Sequence, residues 1–412
     1  MGSGGDVAVI GVGSIGSMAL WRLAAAGLSV HGFERFGVPH DRSAAGGETR
    51  MFRTTSPREP HYVPFAVTAL ERWGQLETDS GRQLLTRGGE LVISPPDDAT
   101  FGSILASIRT YELDHELLDA RQIRARFPPH RVDPDDRGIL DLNAGFLRSE
   151  LAVLAAAERA TRLGAVLHTG APVTDVAADG EGVTVAWGGR HLRFEQAIVA
   201  AGPWTSHLAP DLAAAIEVRR PIQAWFAVDD PARYAPERFP TGLRLGPDAL
   251  YVFPSLDGAS VKVGVGGEHN RHVADPDRLD RSVDHAEVAH ISERVRRRLP
   301  GLHPDPLRAA AYMDGYTPDH QPIIGRLPGA ERIVVLGGFS GHGFKYAPAF
   351  GEAGAELVAD GATTLDISPF APDRLAAASA TAAVTADRPP LRSGSGPTGD
   401  GRGRARPAPR GC

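Results

Sequence analysis

Of the 44 basic residues in this 412-residue chain, only Lys262 and Lys345 are lysine; every other one is arginine. Lysine carries a compact ammonium whose pKa shifts readily on burial, whereas arginine is a planar, permanently charged fork. A site that needs a small, tunable cation beside a reacting atom cannot exchange one for the other. Both lysines lie in glycine-rich, β-like surroundings, Val261-Lys262-Val263-Gly264 and Gly343-Phe344-Lys345-Tyr346. The plain alternative is that an arginine-biased composition left two lysines by chance, and only the rest of the chain decides between the two.

A second set of residues has a definite chemical use. Gly11-Val12-Gly13-Ser14-Ile15-Gly16 fits the G-x-G-x-x-G pattern. It follows a short apolar run, opens an Ala/Leu-rich helical stretch, and is followed by Glu34 at the end of a second apolar run. That strand–loop–helix–strand context makes a weak motif specific for a dinucleotide. Gly11 permits the tight turn, Gly13 lets backbone approach the pyrophosphate, and Gly16 permits close packing of helix on strand. Glu34 can accept hydrogen bonds from the adenosine ribose. The pattern fits NAD and FAD alike. Two later segments bear on the choice. Ser43-Ala44-Ala45-Gly46-Gly47-Glu48-Thr49-Arg50-Met51-Phe52-Arg53 is a small-residue loop with two arginines where an NAD enzyme would be due its next strand. Gly337 to Lys345 joins an apolar strand to a helix from about Ala347, so a helix N-terminus could face an anion such as reduced flavin.

The elements that must position these residues alternate strand and helix signals, which predicts an α/β fold. Strands are expected at 6–11, 28–34, 165–168, 196–200 and 333–336, with a meander of short strands between 173 and 194. Helices are expected at 14–26, 62–77, 147–163 and 347–360. Residues 88–94 and 221–312 read as longer β-like segments with proline-rich turns. The expected architecture is a Rossmann-like FAD-binding domain assembled from 5–84, 148–214 and 320–365. Into it is inserted an α+β substrate domain from 85–147 and 215–319, built on a mixed or antiparallel sheet. Residues 373–412, dominated in their last part by Pro, Gly, Ala, Ser and Arg, read as a disordered tail.

Composition removes other classes. A net charge of −6 gives no overall basic field, so nucleic acid is not expected as a partner. No apolar run approaches the roughly 20 residues that span a bilayer, and the N-terminal run ends in a glycine loop instead of a cleavage site. Cys412 is the only cysteine, which excludes an internal disulfide or thiolate metal cluster and fits a reducing cytoplasm. No metal site is expected.

The chain resembles the monomeric sarcosine oxidase and N-methyltryptophan oxidase family of FAD-dependent amine oxidases. The resemblance is carried by the fingerprint, Gly47-Glu48-Thr49-Arg50, Tyr62-Val63-Pro64 and Leu250-Tyr251-Val252-Phe253-Pro254. It continues through Val261-Lys262-Val263-Gly264, Tyr316-Thr317-Pro318-Asp319 and Gly338-Phe339-Ser340-Gly341-His342-Gly343-Phe344-Lys345. It implies that Lys262 sits beside the flavin N5 edge and favours reaction with oxygen, with Arg50 near the same face and Tyr251 lining the substrate pocket. Arg53 and Lys345 pair with a substrate carboxylate, and the Gly341-His342-Gly343 backbone meets the flavin pyrimidine edge. The implied cofactor-binding set further includes Ser14, Ile15, Arg35, Ser43, Thr49, Val173, Gly202 and Phe344. The implied reaction is oxidation of a secondary amine, an N-methyl or cyclic amino acid, to an imine, with oxygen reduced to hydrogen peroxide by a monomeric enzyme.

The chain departs from the family at three positions. Tyr312 replaces the cysteine that tethers FAD, so FAD is expected to be non-covalent. Asp314 stands where the family has a pocket aromatic, and Gly266 where it has a histidine, with His269 close by. The last two changes are in the pocket around the amine, so the substrate need not be sarcosine. They also leave open a dehydrogenase with another electron acceptor, or a flavin-binding protein without turnover. An NAD-linked dehydrogenase is a further alternative and would be colourless.

Overall fold

A computed structural model of the chain describes residues 2–212 and 215–375. The expected tail therefore lies outside the described residues except for its first three positions.

Val7, Ala8 and Val9 are buried, and their strand, Gly2–Ile10, lies inside the first eight-stranded sheet. It pairs in parallel with Val30–Phe33 on one side, Val7 opposite Val30. On the other side it pairs in parallel with Arg190–Val199, Ile10 opposite Val199. The parallel core continues to Val166–His168 at one flank and Ala330–Gly337 at the other. Near-continuous apolar runs at these strands are what a sheet covered on both faces requires. Antiparallel strands Val173–Ala178, Val183–Trp187 and Ile323–Leu327 complete it. Because the chain leaves the strand Gly2–Ile10 towards one side and its other neighbour comes from much later in sequence, a crevice opens at its C-terminal end, where α/β sheets bind ligands.

Helices Gly16–Ala25, Tyr62–Ser80, Ser149–Arg162 and Ala347–Ala359 contribute to one apolar core with this sheet. The helix Gly16–Ala25 buries Met18, Leu20, Trp21 and Leu23, each large side chain contributing about 1.5–3 kcal/mol.

The second eight-stranded sheet runs in the order Leu302–Ala311, Ile222–Val228, Ser260–Gly264, Leu250–Val252, Thr241–Arg244, Glu90–Ser94, Arg137–Asp141, His115–Asp119. All its pairs are antiparallel except Thr241–Arg244 with Glu90–Ser94. The expected mixed or antiparallel sheet is present. Two three-stranded sheets carry further site residues. Thr49–Phe52 and Leu85–Arg87 flank Gly145–Arg148, and Glu217–Arg220 lies between Arg271–His272 and Asp314–Tyr316.

Two local readings need correction. Lys345 is not on a β-like segment; it lies in the single turn Phe344–Tyr346 that leads into the helix Ala347–Ala359. Between Pro221 and Tyr312 the chain also forms a helix, His285–Arg298, within what read as β-like sequence. Its arginine-rich surface hides the signal, but Val288, Ile291 and Val295 are spaced for one buried face, and Asp284 with Glu287 forms a capping box.

Candidate active site

The fingerprint loop is built as its glycines require. Gly11 has φ +88°, and a Cβ there would stand 2.5 Å from the Ala200 carbonyl oxygen. At Gly16 a Cβ would stand 1.8 Å from the Gly11 carbonyl oxygen, so any side chain would force the loop open. Gly13 has open space where its Cβ would be, and it lines a cavity of about 410 Å³. Glu34 accepts from the Val12 N–H at 3.0 Å through one oxygen and from the Phe36 N–H at 3.0 Å through the other. His40 Nε2 lies 3.3 Å from that second oxygen. Burial pushes the Glu34 carboxyl up, but the hydrogen bonds and charge from His40 and the two backbone N–H groups outweigh it. The group is held below the ordinary carboxylate range and remains an acceptor.

Of the expected cofactor residues, Gly11, Gly13, Ser14, Ile15, Glu34, Arg35 and Ser43 line this cavity. Arg50, Val173, Gly202, Gly341, Gly343 and Phe344 line it too, and so does Asp314. Segments far apart in sequence thus converge on one space. Gly16, Thr49, His342 and Lys345 do not line it. Gly16 acts in the packing of the loop, and Thr49 lends its carbonyl to both Lys262 and Arg50. The sequence reading missed part of the rim. Trp204 Nε1 donates to Asp277 at 2.7 Å, and Arg35 pairs with the same carboxylate oxygen at 2.6 Å while lying over the Trp204 ring. Glycines, a helix N-terminus and a charged acceptor around such a cavity fit FAD, whose pyrophosphate the loop and whose ribose Glu34 would hold.

Lys262 sits on the strand Ser260–Gly264. Val261 and Val263 point into the apolar core with Phe226 and Ile291, and the two-residue period of a strand turns Lys262 to the other face. There its Nζ donates to the Gly47 carbonyl at 2.8 Å and the Thr49 carbonyl at 2.6 Å, and it lies 4.1 Å from the centre of the Phe253 ring. Burial, and secondly the Arg50 charge, drive its ammonium well below the ordinary lysine range. Arg50 donates to the carbonyls of Thr49 and Ala44, each at 2.6 Å, and to that of Gly46. Tyr251 lies against Gly264, and burial pushes its phenol up while Arg50 opposes the shift. Asp314 accepts from the Gly315 N–H at 2.8 Å. Burial raises its carboxyl to about 6, against the pull of the Gly315 and Gly341 N–H groups and Arg50.

A second charged cluster surrounds Lys345, whose Nζ donates to the His342 carbonyl at 2.9 Å and lies 4.7 Å from the Tyr346 ring centre. Burial comes first in driving this ammonium well below its ordinary range, followed by repulsion from Arg53 and Arg58. The two cations expected to share a carboxylate are therefore close enough to repel each other. Arg53 lies 3.1 Å from Glu90, a carboxylate with no solvent exposure. Burial raises Glu90 to about 7, and Arg53 opposes it. Neither Glu90 oxygen has a hydrogen-bond partner, and neither do Arg53 Nε and Nη1. Arg53 Nη1 and Glu90 Oε1 are paired by charge at 3.1 Å without hydrogen-bond geometry, so Arg53 Nε and Glu90 Oε2 are the atoms of this pair left with polar capacity to spare. Glu90 was missed from sequence, although an acid in the run Glu90-Leu91-Val92-Ile93 is itself the signal of a buried charge. His342 contacts Tyr62 through Nε2 at 3.2 Å, and burial, then the Lys345 charge, drive its imidazolium well below the usual range. No metal-binding group of His, Cys, Asp and Glu occurs among the described residues.

Comparison with known proteins agrees with this geometry. The sequence profile of a family described as FAD dependent oxidoreductase matches residues 6–357. The chain is 35% identical over 381 residues to a monomeric sarcosine oxidase of Streptomyces avermitilis, covering 91% of this chain and 99% of that protein. It is 32% identical over 368 residues to an N-methyl-L-tryptophan oxidase of Salmonella heidelberg, covering 89% and 97%. Among solved structures, NikD, an unusual amino acid oxidase essential for nikkomycin biosynthesis, superposes with a TM-score of 0.79 at 26% identity, covering 90% of this chain and 98% of that one.

Proposed function

The chain belongs to the FAD-dependent oxidoreductase family, and from that premise we propose that it oxidises a secondary amine, an N-methyl or cyclic amino acid, to the imine, with oxygen as electron acceptor and hydrogen peroxide as second product. The observation that carries this reading is the pair of buried, mutually repelling cations Arg53 and Lys345, at the Lys345 end of the segment whose Gly341, Gly343 and Phe344 line the cofactor cavity. Bound FAD supplies the acceptor for a hydride equivalent and the electrons that reduce oxygen.

The residues of the chain do the rest. Arg53 and Lys345 hold the substrate carboxylate and so fix the carbon that loses hydrogen. Lys262 and Arg50 place positive charge where negative charge develops during oxygen reduction, in a buried setting where such charge is most effective. Tyr251 and Asp314 bound the amine end of the substrate. No residue is needed as a general base if the amine enters neutral. FAD is held non-covalently, because Tyr312 occupies the tethering position and the only cysteine is Cys412. The same reading assigns the first sheet and its helices to FAD and the second sheet to the substrate, in a cytoplasmic monomer. No helix among the described residues is long and apolar enough to cross a membrane.

A panel of N-methyl and cyclic amino acids, each beside its decarboxylated analogue, tests the reading by peroxide release. Turnover confined to the carboxylates is expected. Equal turnover of the decarboxylated amines would remove the role given to Arg53 and Lys345.

A further inference from the structure

The turn that feeds Lys262 is held from its other side by an acid with no part in the scheme above. Gly47 and Glu48 are consecutive residues with positive φ, +101° and +71°. This aims both their N–H groups at one carboxylate. Glu150 accepts from the Gly47 N–H at 2.7 Å through Oε1 and from the Glu48 N–H at 3.1 Å and 3.0 Å through its two oxygens. The Ser149 hydroxyl also donates to it, at 3.0 Å. Glu150 lies in the first turn of the helix Ser149–Arg162, where the helix dipole favours negative charge.

On the opposite edge of the same turn, the Gly47 carbonyl receives Lys262 Nζ at 2.8 Å. The peptide group between Gly47 and Glu48 therefore carries the ammonium on its oxygen and the carboxylate on its nitrogen. Chains of hydrogen bonds between opposite charges polarise one another. The other charges facing Lys262 do not substitute for Glu150. Arg50 and Arg308 repel it, and Glu48 is engaged by Arg308 and by the Trp225 indole at 3.2 Å. Tyr312, packed on Gly47, is pushed up to about 12 by burial and stays neutral.

We propose that Glu150 is the positioning residue for Lys262: through the Gly47–Glu48 peptide it fixes the lysine on the face where oxygen is reduced and acts as its counter-ion. The proposal rests on the reading of Lys262 as the oxygen site. It accounts for a buried ammonium beside Arg50, because Glu150 is the larger of the two carboxylate influences that favour the charged lysine.

The test is stopped-flow reoxidation of the reduced holoenzyme by oxygen across pH, for wild type, Glu150→Gln, Glu150→Asp and Lys262→Met. Loss of the counter-ion lowers the Lys262 pKa. In Glu150→Gln the high-pH limb of the reoxidation rate therefore moves to lower pH by about one unit, a tenfold change in the charged fraction. Anaerobic flavin reduction by substrate should change less than about twofold, because Lys345 and Arg53 are untouched. Glu150→Asp keeps the charge and should keep the limb near its wild-type position with a slower rate. If the glutamine variant fails to retain FAD, Glu150→Asp decides: slower reoxidation with unchanged flavin reduction supports the positioning role, and a wild-type reoxidation rate overturns it. An unmoved limb and wild-type rate in Glu150→Gln, with Lys262→Met slow, would overturn the role of Glu150 while leaving Lys262 in place. A wild-type reoxidation rate in Lys262→Met would overturn the reading beneath it as well.

Discussion

Lys262, Lys345 and Glu90 are the residues at which the account is most exposed to test. Lys262→Met removes the charge but keeps the length, and flavin reoxidation should slow by on the order of 100- to 1000-fold while reduction by substrate changes far less. Stopped-flow absorbance of each half-reaction measures the two separately. Arg53→Ala or Lys345→Ala should weaken binding of a substrate-like carboxylate by about 10- to 100-fold, read from its perturbation of the flavin spectrum. Lys345→Arg should not rescue, since the side chain is buried in the turn Phe344–Tyr346 with its Nζ on the His342 carbonyl, and a planar guanidinium does not reproduce that contact. Glu90 makes a prediction about pH. Its carboxyl is raised from 4.5 to about 7 in the folded protein. The folded state therefore binds more protons than the unfolded chain between those values, and the stability Glu90 contributes is present below pH 4.5 and lost as pH rises through about 7. Glu90→Gln cannot ionise, so its Tm relative to wild type should climb between pH 5 and 8; a difference that stays flat with pH would show that Glu90 does not titrate there.

The strand–loop–helix around the fingerprint was legible in sequence apart from its ends, with the strand beginning at Gly2 and the helix at Gly16, because glycine spacing, the apolar run and Glu34 each constrain the same backbone. Gly16→Ala should abolish flavin retention, since a Cβ there would overlap the Gly11 carbonyl. The flavin-to-protein absorbance ratio of the purified variant checks this. Other elements were less legible. Lys345 read as β-like because a short glycine-rich stretch has no period of its own; only the helix behind it fixes it as a turn. The helix His285–Arg298 was hidden by charged residues on its exposed face. The acid in the run Glu90-Leu91-Val92-Ile93 marks a buried charge, but sequence does not tell what it faces, because Arg53 on a loop and Lys345 on a turn approach it only in three dimensions. Trp204 and Asp277 escaped for the same reason: the contact spans more than seventy positions and no local pattern encodes it.

At the scale of the whole molecule, two eight-stranded sheets carry the residues of the proposed site. The parallel core of the first sheet delivers the cradle, and the second sheet delivers Lys262, Tyr251 and Glu90 on strands whose opposite faces are packed. Placing charge on rigid strands keeps it in position through turnover. Non-covalent retention of FAD is checked by acid precipitation, which should leave a colourless pellet and a yellow supernatant. The central claim, a flavin reduced by an amino-acid amine and reoxidised by oxygen, is tested most directly by one titration of the purified holoenzyme. Anaerobic addition of an N-methyl or cyclic amino acid should bleach the flavin absorbance, and admission of air should restore it with one hydrogen peroxide formed per flavin. Flavin that no such amine bleaches, or that bleaches and stays reduced in air, would contradict the account.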